Sequence, residues 1–230
     1  MNLLEEEVNK YILDMYEFNH NNIIFAPTSI YLKQFVNSNL HVSAQDVSFE
    51  ENGAYTGDIS ALQLKSIGVE YSIVGHSERR KYYDDNKYIN QKIKMCLKNN
   101  IKPILCIGEN LLDRQNNNVS NILSDDIDKC FDGLSNNDIS KIIVAYEPLW
   151  SIGTGIVPSN DEIFETVDFI KKLIYEKYNT NVHVLYGGSI NEKNIIEFEK
   201  IKNLDGYLIG GSSIDSNKFR KIIKFIDGGK

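Results

Sequence analysis

A chain of 230 residues with 42% apolar content fits one large α/β domain or two small ones, and either can bury a substantial core. Its formal charge of −7 argues against nucleic acid or an anionic membrane surface as the main partner, because both select basic faces; an anionic substrate would need its charge met locally. Cys96, Cys106 and Cys130 form no C-x-x-C pair, so neither a metal site nor a disulfide framework is indicated, no run approaches membrane-spanning length, and the acidic start Met1 to Glu7 is not a signal peptide.

Residues 3–18 carry Leu3, Leu4, Val8, Tyr11, Ile12, Met15 and Phe18 at helical intervals, an amphipathic helix beginning almost at the first residue. A polar turn over 19–22 leads to a short buried strand, Ile23 to Ala26, stopped by Pro27, and then to a helix reaching Val36 that Thr28 or Ser29 can cap. Leu40 to Ala44 reads as a second strand. The following loop, Gln45 to Ser60, is long enough to be functional or an interface element. Ala61 to Gly68 is a short helix, and Tyr71 to Val74 a third strand running into Gly75-His76-Ser77-Glu78-Arg79-Arg80.

A helix over 85–98 closes on Asn99-Asn100. Pro103 to Ile107 is a fourth strand, residues 110–120 a polar connection, and Ile122 to Phe131 a helix ended by Gly133. The fifth strand, Lys141 to Tyr146, delivers Glu147 and is halted by Pro148; a loop with Gly153 and Gly155 follows. A strand-end acid followed by a segment stiff in the middle and flexible at its ends suggests a catalytic base under a lid, although the Glu-Pro pair alone fits an ordinary turn. Next come a long helix over 160–178, a sixth strand over 183–186, the turn Gly187-Gly188-Ser189, a helix over 191–199, a seventh strand over 206–209, the turn Gly210-Gly211-Ser212, and a last helix over 216–226.

Strand and helix alternate from Ile23 to Ile226, which implies a parallel sheet with helices outside it. No G-x-G-x-x-G follows the first strand, so the dinucleotide-binding version loses its main support. His76, Glu147 and the two glycine turns all lie just past strand C-termini, the face on which (β/α)₈ barrels build their active sites. Successive glycine turns after the last two strands suit a phosphate, since glycine lets backbone N–H groups close on an anion.

Seven collinear blocks then carry a resemblance. They are Ala44-Gln45, Asn52 to Gly57, Val74 to Arg80, Cys106 to Glu109, Ala145 to Gly155, Tyr186 to Ser189 and Asp205 to Gly211. In these the chain resembles the triosephosphate isomerases, cofactor-free TIM-barrel enzymes, over nearly its whole length. The resemblance implies that Glu147 is the base shuttling a proton between the carbons of dihydroxyacetone phosphate and glyceraldehyde 3-phosphate, and that His76 is the neutral electrophile. It further implies that Gly153, Ser189, Gly210 and Gly211 hold the phosphate, that Pro148 to Pro158 is the lid, and that Ser77 and Glu78 support the site from behind. Arg79 and Arg80 read as structural ion-pair formers, and Cys106 as core packing. By the same resemblance Gln45, Thr56 and Gly57 belong to a loop that reaches a neighbouring subunit, implying a homodimer. Pro158 departs from the family pattern at the far end of the lid, where it would stiffen the hinge.

Family members open with a strand ending in Asn-x-Lys, and none is readable before the first helix, so the sequence is expected to be one N-terminally incomplete barrel domain over 1–230, with seven strands. Two explanations stand: a missing upstream strand, or a genuinely short, impaired relative that binds a phosphosugar or serves assembly. Loss of a strand's ladder bonds, at ~1 kcal/mol each, favours the first. The expected compartment is the cytoplasm, or a plastid if a leader is missing.

Overall fold

The computed structural model describes residues 2–19, 22–152 and 156–228. Two compact units make up the chain: Met1–Cys106 with Asp128–Ile142, and Ile107–Ile127 with Ile143–Lys230.

In chain order, the first unit holds α1 (Glu5–Met15), β1 (Ile24–Phe25), α2 (Leu32–Asn37), β2 (His41–Ala44), α3 (Ala61–Ser66), β3 (Tyr71–Val74), α4 (Ser77–Tyr82) and α5 (Asn86–Lys98), and β4 (Lys102–Ile107) runs to its boundary. Helix α1 forms because Val8, Tyr11, Ile12 and Met15 share a buried face, while Glu5, Glu6 and Glu7 meet the positive end of its dipole. Ring contacts join Tyr11, Phe25 and Phe35 beneath the first strands, with centroids 5.9–6.4 Å apart. Strands β1 to β4 pair in parallel, Phe25 opposite Val42, Ala44 opposite Ser72 and Val74 opposite Leu105. The burial pattern of β4, one exposed residue followed by five buried ones, is that of a strand covered on both faces. Asp85 caps α5 by accepting the Tyr88 N–H at 2.8 Å, and the helix stops where Asn100 takes a left-handed φ of 54°.

The chain continues through α6 (Leu111–Gln115), α7 (Val119–Cys130), α8 (Asn136–Ile139), β5 (Ile143–Tyr146), α9 (Asn160–Tyr178), β6 (His183–Tyr186), α10 (Ile195–Phe198), β7 (Gly206–Tyr207) and α11 (Ser216–Gly228). In the second unit β5, β6 and β7 are parallel, with Tyr146 opposite Tyr186 and Tyr186 opposite Tyr207. Helix α9 has the bounds its sequence pattern predicts. Ser159 and Glu162 form a reciprocal capping box at its start, and Asn179 ends it at φ 47°.

Three short helices differ from the sequence reading. Helices α4, α6 and α8 have no bounds in that reading, and α6 lies within its polar connection, because four to six residues show no apolar period. They are nucleated by side-chain caps at His76, Asn110 and Ser135. Conversely, the helix expected over 191–199 shrinks to α10. Asn191 Oδ1 accepts the N–H groups of Lys193 and Asn194, an Asx arrangement that competes with helical bonding.

Candidate active site

In the first unit, β3 ends at Val74 and Gly75 turns the chain at φ +69°; a Cβ there would lie 2.8 Å from Ile89 Cδ1, so glycine is required. His76 then stands as the N-cap of α4, half-buried, and its Nδ1 accepts the Glu78 backbone N–H at 3.4 Å. An Nδ1 that accepts leaves the ring proton on Nε2, and the helix N-terminus disfavours a second proton. Glu78 thus contributes through its backbone, while Ser77 opens the helix. Arg79 pairs with Asp46 at 2.7 Å, as an ion-pair former should. Arg80 lays its guanidinium on the carbonyls of Gly75 and Cys106. Cys106 is fully buried, in keeping with core packing.

The 45–60 loop folds back on the same unit. Ser48 donates its backbone N–H to the Ile59 carbonyl at 2.8 Å and its hydroxyl to Asp58 at 2.9 Å. Phe49 meets Tyr55 edge-on and Tyr88 at a tilt, and Lys98 pairs with Glu51 at 2.6 Å. Lys92, buried, bridges Asp46 and Asp84 and so fixes the loop's base to α5. Gln45, Thr56 and Gly57 all remain exposed on this unit.

In the second unit Glu147 is 3% exposed. Its N–H donates to Ile107 at 2.8 Å, and Gly187 donates to Tyr146 at 2.8 Å, so the backbone around it is held on both sides. A Cβ on Gly187 would sit 3.0 Å from Glu147 Cγ, and one on Gly108 would collide with the Glu147 carbonyl oxygen. Two glycines therefore make room for this one residue, Gly108 at its backbone and Gly187 at its side chain. Residues 148–151, where the lid is expected to begin, form a turn, with Ser151 donating through N–H and hydroxyl to Pro148 at 2.8 and 2.9 Å. Gly153 lies outside the described residues.

Ser189 donates to the Ser151 carbonyl at 3.0 Å, tying the first glycine turn to the turn after Pro148. Ser212 donates to Ile190 at 2.6 Å and brings the second turn against the first. Around Gly210 and Gly211 a Cβ would meet nothing within 4 Å, so the side of the backbone where a side chain would stand is open.

Sequence reasoning missed Glu109. It is fully buried, and its Oε1 accepts from Arg114 at 3.0 Å, Tyr146 at 3.1 Å and Trp150 at 2.9 Å. Burial, reinforced by Glu109's charge, pushes the Tyr146 phenol well above its ordinary range, so it stays a donor. The available signal was Glu109 itself, an acid directly after a buried strand and Gly108.

The family model described as triosephosphate isomerase matches residues 1–226. The chain belongs to the triosephosphate isomerase family. A triosephosphate isomerase of Thermodesulfovibrio yellowstonii is 43% identical over 215 residues, 90% of this chain and 87% of that protein. One of Alkaliphilus oremlandii is 41% identical over 206 residues, 87% and 83% of the two chains, and one of Finegoldia magna 40% over 195 residues, 82% and 78%. The TIM-barrel fold class and the isomerase reading of the sequence both stand on this membership, and nothing in it favours an inert binding protein. A phosphorylated triose is the substrate class that goes with the triosephosphate isomerase family. No helix of the described residues is long and apolar enough to cross a membrane.

Proposed function

We propose that this chain interconverts dihydroxyacetone phosphate and D-glyceraldehyde 3-phosphate through an enediolate, with roles carried over from the family. Glu147 takes the proton from one carbon beside the carbonyl and returns it to the other; neutral His76 donates from Nε2 to the substrate oxygens as negative charge develops on them. Ser189, Gly210, Gly211 and Gly153 hold the phosphate, and the segment 148–158 closes over it to exclude water. The observation that carries the reading is the Glu78 N–H donated to His76 Nδ1, which selects the ring form able to act as electrophile.

A homodimer through the 45–57 loop belongs to the same proposal. Residues 52–58 are exposed at the end of a loop anchored at its base by Lys92 and Asp46, as a docking loop needs to be. A cytoplasmic setting is part of it too, supported by three buried free cysteines, which suit a reducing compartment. The protein is one domain over 1–230 in this reading, and no cation is assigned to the role of the family's Asn-x-Lys.

A coupled assay with both triose phosphates tests the proposal. Glu147→Asp and His76→Gln should each lower kcat by ~10²–10³. An unchanged kcat in either variant removes that residue from the mechanism, and a folded protein inert with both substrates overturns the reading.

A further inference from the structure

We propose that Arg80 is the positioning residue for His76, acting through the Gly75 carbonyl; this rests on the reading of His76 as electrophile. The β3–β4 ladder ends with Val74 opposite Leu105, and the left-handed Gly75 turns the chain away. The carbonyls of Gly75 and Cys106, both buried residues, therefore lie beyond the ladder and need donors from elsewhere. Arg80 supplies them from α4. Its Nε donates to Gly75 O at 2.9 Å and its Nη2 to Cys106 O at 3.0 Å, with Nε also 3.3 Å from Cys106 O. Its Nη1 donates to Asn86 Oδ1 at 2.6 Å, at the first turn of α5. One rigid planar fork thus fixes two strand ends and a helix start.

The consequence for His76 follows from peptide geometry. The Gly75 oxygen and the His76 nitrogen lie in one planar unit, so clamping the oxygen fixes the plane from which His76 departs. The ring is then fixed at its other end by Glu78, which stands two residues before Arg80 on the same helix. Arg80 and Glu78 close a ring of contacts around the electrophile: one holds its backbone, the other its Nδ1. Lysine cannot replace this arginine, because a single ammonium cannot present three donors in the fixed plane of the fork.

The test uses Arg80→Lys and, as a milder change on the clamp's far side, Asn86→Ala, each in protein labelled with ¹⁵N-histidine. In the unaltered protein His76 should show an acceptor-type Nδ1 and a protonated Nε2. Arg80→Lys should shift the Nδ1 resonance and lower kcat by ~10–100-fold with KM within ~3-fold, since misplacement of about an ångström costs on that scale. Asn86→Ala should move both readouts the same way by less. An unchanged His76 signature and kcat in Arg80→Lys, whatever its melting temperature, would overturn the proposal. Should the unaltered protein fail to isomerise triose phosphates, the function fails separately, and the resonance still decides whether Arg80 holds His76.

Discussion

Glu109, without exposed surface, accepts the indole N–H of Trp150 at 2.9 Å through the same oxygen that takes the hydroxyl of Tyr146, the residue immediately before Glu147. A single carboxylate oxygen therefore joins the strand end carrying the proposed base to the first turn of the proposed lid. Arg114 balances its charge at 3.0 Å and lies over the Trp150 ring at 5.3 Å. The second oxygen of Glu109 has no hydrogen-bond partner among the described residues, so the group is held by charge and direction on one side only.

Glu109→Gln should accordingly loosen the lid's start. The amide oxygen can still accept, but Arg114 loses its buried counter-charge, and a cost of ~1–3 kcal/mol is expected. Trp150 is the chain's one tryptophan, so intrinsic fluorescence reports this position alone. The emission should shift in the variant, and kcat should fall with it; an unchanged spectrum and rate would mean that the Trp150 bond does not govern the lid.

Gly108→Ala should be far more damaging than its size suggests. The new Cβ would overlap the Glu147 carbonyl, a backbone atom that cannot swing aside. The expected outcome is a loss of ~3 kcal/mol or more, read as a lowered denaturation midpoint, together with a displaced Glu147 and a depressed kcat. A variant that melts normally and turns over normally would contradict the close approach.

Lys92→Met removes the cation that serves two carboxylates at once, Asp46 at 2.7 Å and Asp84 at 2.8 Å. Uncompensated buried charge of this kind costs ~3–5 kcal/mol. Burial raises the Asp46 carboxyl even with Lys92 and Arg79 beside it, so without Lys92 it should protonate more readily. The stability difference between variant and parent should therefore narrow on acidification. Urea melts at neutral and mildly acidic pH would measure that; a constant difference would place the loss in packing.

What the sequence made legible follows from what each feature depends on. Strand β6 and helix α9 have the bounds expected from their patterns, since an apolar run or a long amphipathic period is a local property. The glycine turns at 187–188 and 210–211 were readable as turns because glycine pairs mark them locally; holding an anion there is the proposed role. Glu109 and Arg80 were not readable in this way. Arg80 reaches Cys106 across 26 positions, and Glu109 reaches Tyr146 and Trp150 across 37 and 41, and no local period encodes such contacts. For helix α4 only the extent was hidden, since no apolar stripe announces six residues.

Gly210→Ala and Gly211→Ala separate fold from function. Neither position has a left-handed φ, and a Cβ at either would meet nothing in the protein. Unfolding free energy should stay within the scatter of a surface change, ~0.5 kcal/mol. KM should rise ~10-fold or more if these N–H groups approach the phosphate, because the methyl would occupy the anion's side. An unaltered KM in both variants would remove the second glycine turn from the phosphate site.

The start of α9 gives the pH dependence. Glu162 accepts the Ser159 N–H at 2.8 Å, and this bond, with the Ser159 hydroxyl and Arg114, holds its carboxyl below the usual range. A folded-state value below the unfolded one, ~4.3 for glutamate, makes the contribution full above that unfolded value. It disappears as the pH falls through the folded value. The Glu162 side chain is 42% exposed, so the charge term is screened and small, and the capping bonds dominate. Ser159→Ala removes both the cap and the hydroxyl bond and should cost ~1 kcal/mol at neutral pH. Below about pH 4 the gap between variant and parent should shrink, because protonated Glu162 no longer completes the box in either protein. Thermal melts of both proteins across that interval decide it: a gap that widens with acid would show that the Ser159 hydroxyl acts independently of Glu162.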